Sequence, residues 1–147
     1  MGRITEPQLR VLADEWTPVV LELLDEMARR VWPPVRERRG MFSKSTLITR
    51  YDLEGPAQRD GKLVWAVSHT SRPSAFDDYG QLSEGERQFW LVTLMPGSPP
   101  FFCVEGAQAH ERIPVDKDAL RQALNQAYRE GPKTERFYGN KGPLSHR

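Results

Sequence analysis

The stretch Arg87–Met95, RQFWLVTLM, decides the fold. It reads as a β-strand, and it is apolar on both of its faces. That pattern predicts a central strand, or one covered on its second side by another chain. Upstream, Lys62–Thr70 (KLVWAVSHT) reads as a strand with Leu63, Trp65, Val67 and His69 on one face by period two. Ahead of it, Ser45–Leu53 (STLITRYDL) is rich in β-branched residues and reads as a further strand. The link between them, Glu54–Gly61, contains Gly55-Pro56 and Asp60-Gly61, both turn signals. Residues 71–86 form a long polar connection with Pro73, Gly80 and Gly85. Downstream, Pro96-Gly97-Ser98-Pro99 is a tight connection into Pro100–Glu105 (PFFCVE), the fourth strand. Short links between the first and second strands, and between the third and fourth, favour hairpins and an antiparallel sheet.

Helices flank this run. Thr5 and Gln8 have the spacing of a capping box. Apolar residues then recur at Leu9, Leu12, Trp16, Val19/Val20, Leu23, Met27 and Val31, one helical face. Pro18 interrupts the run without breaking its phase, so a long kinked helix is predicted, ending at Pro33-Pro34. Residues 35–44 are polar and basic and read as a loop. Near the other end, Asp116 is placed as an N-cap, and Val115 and Leu120 as a hydrophobic staple. Leu120, Ala123, Leu124, Ala127 and Tyr128 form the apolar stripe, and Gly131-Pro132 ends the helix. The expected architecture is α+β: a long kinked N-terminal helix, a four-stranded, mostly antiparallel sheet, and a C-terminal helix packed on it. Residues 1–131 form one domain and 132–147 a basic irregular tail. Helices on one face leave the other solvated, ligand-binding, or buried in a dimer.

The composition supports a globular chain. Its 147 residues include four Trp, six Phe and four Tyr, enough large pieces for a core without disulfides or metal. The single cysteine, Cys103, forms no internal disulfide and no multi-cysteine zinc site. No apolar stretch approaches a membrane span and no signal-peptide pattern is visible, so no membrane partner and a cytoplasmic location are expected.

The net charge of +1 conceals a block pattern. Residues 29–50 hold seven basic groups, Arg29, Arg30, Arg36, Arg38, Arg39, Lys44 and Arg50, against Glu37 alone. Residues 133–147 add Lys133, Arg136 and Lys141, with Phe137 and Tyr138 between them. Clustered cations neutralise phosphates, and Trp32 and Phe42 in the same segment are placed to stack on bases. The plainer reading is macrodipole compensation at a helix C-terminus and solvated surface charge. A pI near 7.9 sits below the range of dedicated nucleic-acid binders.

Signals for catalysis are thin. His69-Thr70-Ser71 has the form of half a two-histidine phosphoesterase site, but neither His110 nor His146 supplies the second triplet that acid–base work needs. His69, Asp77, Asp78, Glu105, His110 and Glu111 are the available metal ligands, and none of their spacings is diagnostic. Cys103, between Phe102 and Val104, reads as a small buried hydrophobe. Phosphate-binding glycine loops and the nucleophile-elbow pattern are absent.

The favoured expectation is therefore a non-enzymatic binding protein without cofactor. It engages an acidic protein surface or nucleic acid through the basic segment and tail. Two alternatives stand beside it. One is a small phosphoesterase-like hydrolase using His69, Glu105 and His110 in a pocket on the open sheet face. The other is a homodimeric adaptor joined through the apolar faces of Arg87–Met95.

Overall fold

The computed structural model describes residues 6–37, 40, 46–71, 85–137 and 144. Its elements run α1 (Glu6–Val31), β1 (Val35–Glu37), β2 (Thr46–Ile48), β3 (Asp52–Arg59), β4 (Lys62–Ser71), β5 (Gly85–Met95), β6 (Phe101–Glu105), β7 (Ala109–Pro114), α2 (Lys117–Glu130) and β8 (Lys133–Phe137). The protein is α+β. A large antiparallel sheet has strand order β3-β4-β5-β6-β7, and β8 also pairs with β5.

β5 is the central strand that its sequence predicts. Residues 86–94 pair with β4 on one side. On the other side, residues 91–95 pair with β6 and residues 85–89 with β8. Period two then sorts the core. Trp65 and Val67 of β4, Trp90, Val92 and Leu94 of β5, and Phe102 and Val104 of β6 pack beneath both helices. Helix α1 contributes Leu9, Val20, Leu23, Leu24 and Met27, and α2 contributes Leu120, Leu124 and Ala127. The opposite face holds a smaller cluster of Ala66, Phe89, Leu91 and Leu144. β5 is thus buried on both faces within one chain.

The sheet differs from the four-stranded expectation in ways with physical causes. Six strands form the main sheet, and β1 and β2 form a separate antiparallel ribbon. The run Ser45–Leu53 divides: residues 46–48 pair back to residues 35–37, which were expected as loop. Glu54–Gly61 was expected as a turn, yet β3 carries on through Gly55-Pro56. A proline has no N–H for a ladder, so it belongs on an edge strand or at a bulge. Here it has both, because β3 is an edge and its register shifts between Glu54 and Ala57. The turn falls only at Asp60-Gly61, both with positive φ, the signature of a two-residue hairpin. Similarly, the loop containing His110 is β7, and Lys133–Phe137 of the supposedly irregular tail is β8.

Helix α1 continues past Pro18 as one helix. Thr17 places its hydroxyl to accept from Trp65 Nε1 at 3.2 Å, tying this point of the helix to the sheet. The expected N-cap, Thr5, lies outside the described residues. Helix α2 begins as its sequence predicts: an Asp116 carboxylate oxygen accepts from the Ala119 amide at 3.0 Å. The two helices run in the same direction. Glu22 meets Lys117, Glu26 meets Arg121 and Arg30 meets Asn125, a constant offset of 95 residues.

At the far end of α2, backbone and ring come unusually close. Trp90 Nε1 donates to the Ala127 carbonyl at 3.1 Å. Gly106 lies against that indole: a Cβ there would sit 2.5 Å from Trp90 Cδ1 and 2.7 Å from the Gly131 carbonyl. Only glycine fits this position.

Candidate binding surface

The basic segment begins where α1 ends, and its first members are already engaged. Arg29 Nε donates to Asp25 Oδ2 at 3.1 Å and to the Tyr51 hydroxyl at 3.4 Å. Tyr51 in turn donates to Asp25 Oδ1 at 2.5 Å. Burial, and then the adjoining carboxylate, push the Tyr51 hydroxyl above the ordinary tyrosine range. Arg30 donates to Asn125 Oδ1 at 3.1 Å and lies 4.1 Å over the Tyr128 ring. Both arginines thus join α1 to its surroundings, as well as complementing its C-terminal dipole.

The ribbon follows. Register sets Val35 opposite Ile48 on one face, and Arg36 opposite Leu47 on the other. It is rooted at both ends. Before β1, buried Trp32 packs on the Trp90 ring and stacks on His69 at 5.3 Å between centroids. After β2, the Arg50 carbonyl accepts from His69 Nδ1–H at 2.6 Å, and Tyr51 is held by Asp25. His69 is therefore an anchor for the ribbon's base.

Between these roots the surface is apolar as well as basic. Val35, Leu47 and Ile48 are 46%, 59% and 38% exposed, and Leu53, just past the second root on β3, is 37% exposed. Among the described residues only Val11 joins them as an exposed large hydrophobic. Arg36 and Arg50 are exposed among them. Three of the five such residues thus fall inside the segment 29–50 that carries the densest positive charge, and Leu53 follows it by three positions. Arg38, Arg39 and Lys44, named from the sequence for the same role, lie outside the described residues, as does Lys141.

The second basic block takes a different course. β8 brings Lys133 beside Glu105, with Nζ donating to Oε1 at 2.6 Å. Arg136 is exposed on the same strand. One strand over, Arg87 is 1% exposed and pairs with Glu135 at 3.0 Å, directly across the ladder. Glu54 shares this neighbourhood. Burial holds its carboxyl above the usual range, against the opposing pull of Arg87. The sequence reading missed this cluster, because Glu135 meets Arg87 only through a strand it did not recognise.

The three candidate catalytic residues do not converge. His69 on β4 and His110 on β7 lie three strand spacings apart, about 14 Å before any offset along the strands. Glu105 sits on the sheet face opposite His69. Each also has its own partner: His69 the Arg50 carbonyl, Glu105 Lys133, and His110 the Glu130 carboxylate, which accepts from Nε2–H at 2.5 Å. That hydrogen bond holds Glu130 below the usual carboxylate range. Cys103 is half-buried, and burial pushes its thiol up, away from nucleophilic use. Among the described residues no three His, Cys, Asp or Glu side chains gather as a metal would need. A groove of about 240 Å³ between α1 and α2 has Leu23, Met27 and Leu124 as its apolar lining. Its polar members Glu26, Arg121, Arg30 and Asn125 bond to one another across the helices. No described helix is long and apolar enough to cross a membrane.

The fold is that of an α+β protein with a two-helix layer on an antiparallel sheet and a separate two-stranded ribbon. No protein-family profile, curated protein or solved structure matches the chain.

Proposed function

We propose that this is a non-enzymatic binding protein that engages an acidic protein surface through the β1–β2 ribbon. The observation that carries the reading is the coincidence of exposed Val35, Leu47 and Ile48 with the basic segment 29–50. Apolar side chains give a partner surface to desolvate, and each large aliphatic that is fully buried contributes about 1.5–3 kcal/mol. Charges alone would serve a phosphate backbone equally well. Exposed aliphatics beside them favour a protein partner with an apolar centre and an acidic rim. In that arrangement Arg36 and Arg50 set orientation and on-rate, and the aliphatics set most of the affinity. Arg38, Arg39 and Lys44 add to the same field by their place in the sequence.

A photo-crosslinking residue at Leu47, used in extract of the source cells with and without nuclease, tests this. The expected result is a discrete, nuclease-insensitive product containing an acidic protein. Arg36→Glu or Ile48→Asp should reduce its yield about tenfold, the effect of 1.4 kcal/mol. A product that nuclease abolishes, together with direct nucleic-acid binding that weakens steeply with salt, would assign the ribbon to nucleic acid instead.

A further inference from the structure

Strand β5 is apolar on both faces, and both are covered within the chain. The ribbon carries the same two-faced pattern with both faces exposed. Register sets the aliphatic pair Val35 and Ile48 on one face, and Leu47 opposite Arg36 on the other. All four side chains are exposed. A strand with one wet side alternates, keeping polar groups toward water. Aliphatics at consecutive positions, as at Leu47 and Ile48, are the pattern of a strand covered twice. Among the described residues, β1 and β2 pair with each other and with no third strand. The two covers that the pattern calls for therefore come from another molecule.

Resting on the binding role proposed above, we infer that the protein partner takes the ribbon into a cleft. One apolar wall lies on Val35 and Ile48, the other on Leu47 and the stem of Arg36, and carboxylates line the mouth. Layers of β-structure pack about 10 Å apart, so the two walls stand about 20 Å from one another across the ribbon. The ribbon has three residue pairs, so the cleft runs only about 10 Å along the strands. Arginine packs its methylenes on an apolar wall while its head stays at the wet edge, which suits Arg36 to this place. Arg50 stands two residues past β2, at the ribbon's base, where the acidic mouth meets it. A second copy of the ribbon does not make a wall. Residues 29–50 hold seven cations against Glu37 alone, and two such segments repel. A flat partner surface dries one face and leaves the aliphatics of the other in water.

The test places a photo-crosslinking residue at Leu47 in one full-length variant and at Ile48 in another, neighbours in sequence on opposite faces. Both are used in cell extract with and without nuclease, and the products are digested and identified by mass spectrometry. The expected result is one acidic protein, insensitive to nuclease, joined from both positions through two separate segments of its chain. Once purified, that protein should bind Leu47→Asp and Ile48→Asp each about tenfold or more weakly than wild type. Circular dichroism should show both variants folded, because both positions are exposed. Capture from one position alone, or a loss of affinity confined to one variant, rules out the cleft and leaves a one-sided binding surface in place. Capture from neither position removes the binding role together with the cleft. Products that nuclease abolishes place the ribbon in a nucleic-acid groove and overturn the protein cleft.

Discussion

Tyr51 donates to Asp25 from a buried position, and Arg29 completes the group from the same turn of α1. The sequence showed Arg29 as one of seven cations in a basic block. It gave no sign that a tyrosine 22 residues on would claim it. Arg87 is the sharper case: a charge on an otherwise apolar strand, buried because Glu135 arrives across the ladder. A buried arginine needs such a partner, since an unpaired charge there is strongly destabilising. For Tyr51 the consequence is an alkaline one. Burial raises its folded pKa above the unfolded value near 10, so its contribution is complete below that pH and is lost as pH rises through the folded value. Denaturation midpoints from pH 8 to 11 should therefore fall more steeply for wild type than for Tyr51→Phe. At pH 7 the same substitution should cost about 1 kcal/mol, the worth of the lost hydrogen bond.

Among the elements, α2 was the most legible. Asp116, the Val115–Leu120 staple, the stripe and Gly131 all stand where local signals put them, because helix ends are satisfied by residues a few positions away. Asp116→Ala should lower stability by about 1 kcal/mol. It should appear as a shift of the denaturation midpoint at unchanged slope. Strands were harder. β3 contains a glycine-proline pair that reads as a turn, and only its place at the sheet edge, with a register shift, lets it stay extended. β8 has charged residues at three of its five positions, Lys133, Glu135 and Arg136, which carry no apolar alternation. It is a strand because the exposed half of β5 lacked a partner once β6 had taken residues 91–95.

For the molecule as a whole, the sheet and both helices share a core, whereas β1 and β2 make their main contacts with each other. A two-stranded ribbon is marginal by itself and draws its order from its roots at Trp32, His69 and Tyr51. Hydrogen exchange should divide accordingly. Amides of 35–37 and 46–48 should exchange well before those of 63–67 and 89–94, which open only with the core. Equal protection in both groups would show the ribbon to be part of the cooperative unit and weaken its role as an adaptable binding element.

Sequence by itself determined the α+β class, the central place of β5, both helices and the concentration of charge in 29–50. Those depend on period, capping and composition, all local quantities. Tertiary structure alone decided which charges are spoken for, with Arg29, Arg30 and Lys133 bonded to acidic, amide or aromatic neighbours. It decided that His69 and His110 stand strands apart, and that the second face of β5 is buried within the chain. The reason is that strand order, edge position and cross-ladder partners are set by long-range pairing, and no local spacing in the chain records them.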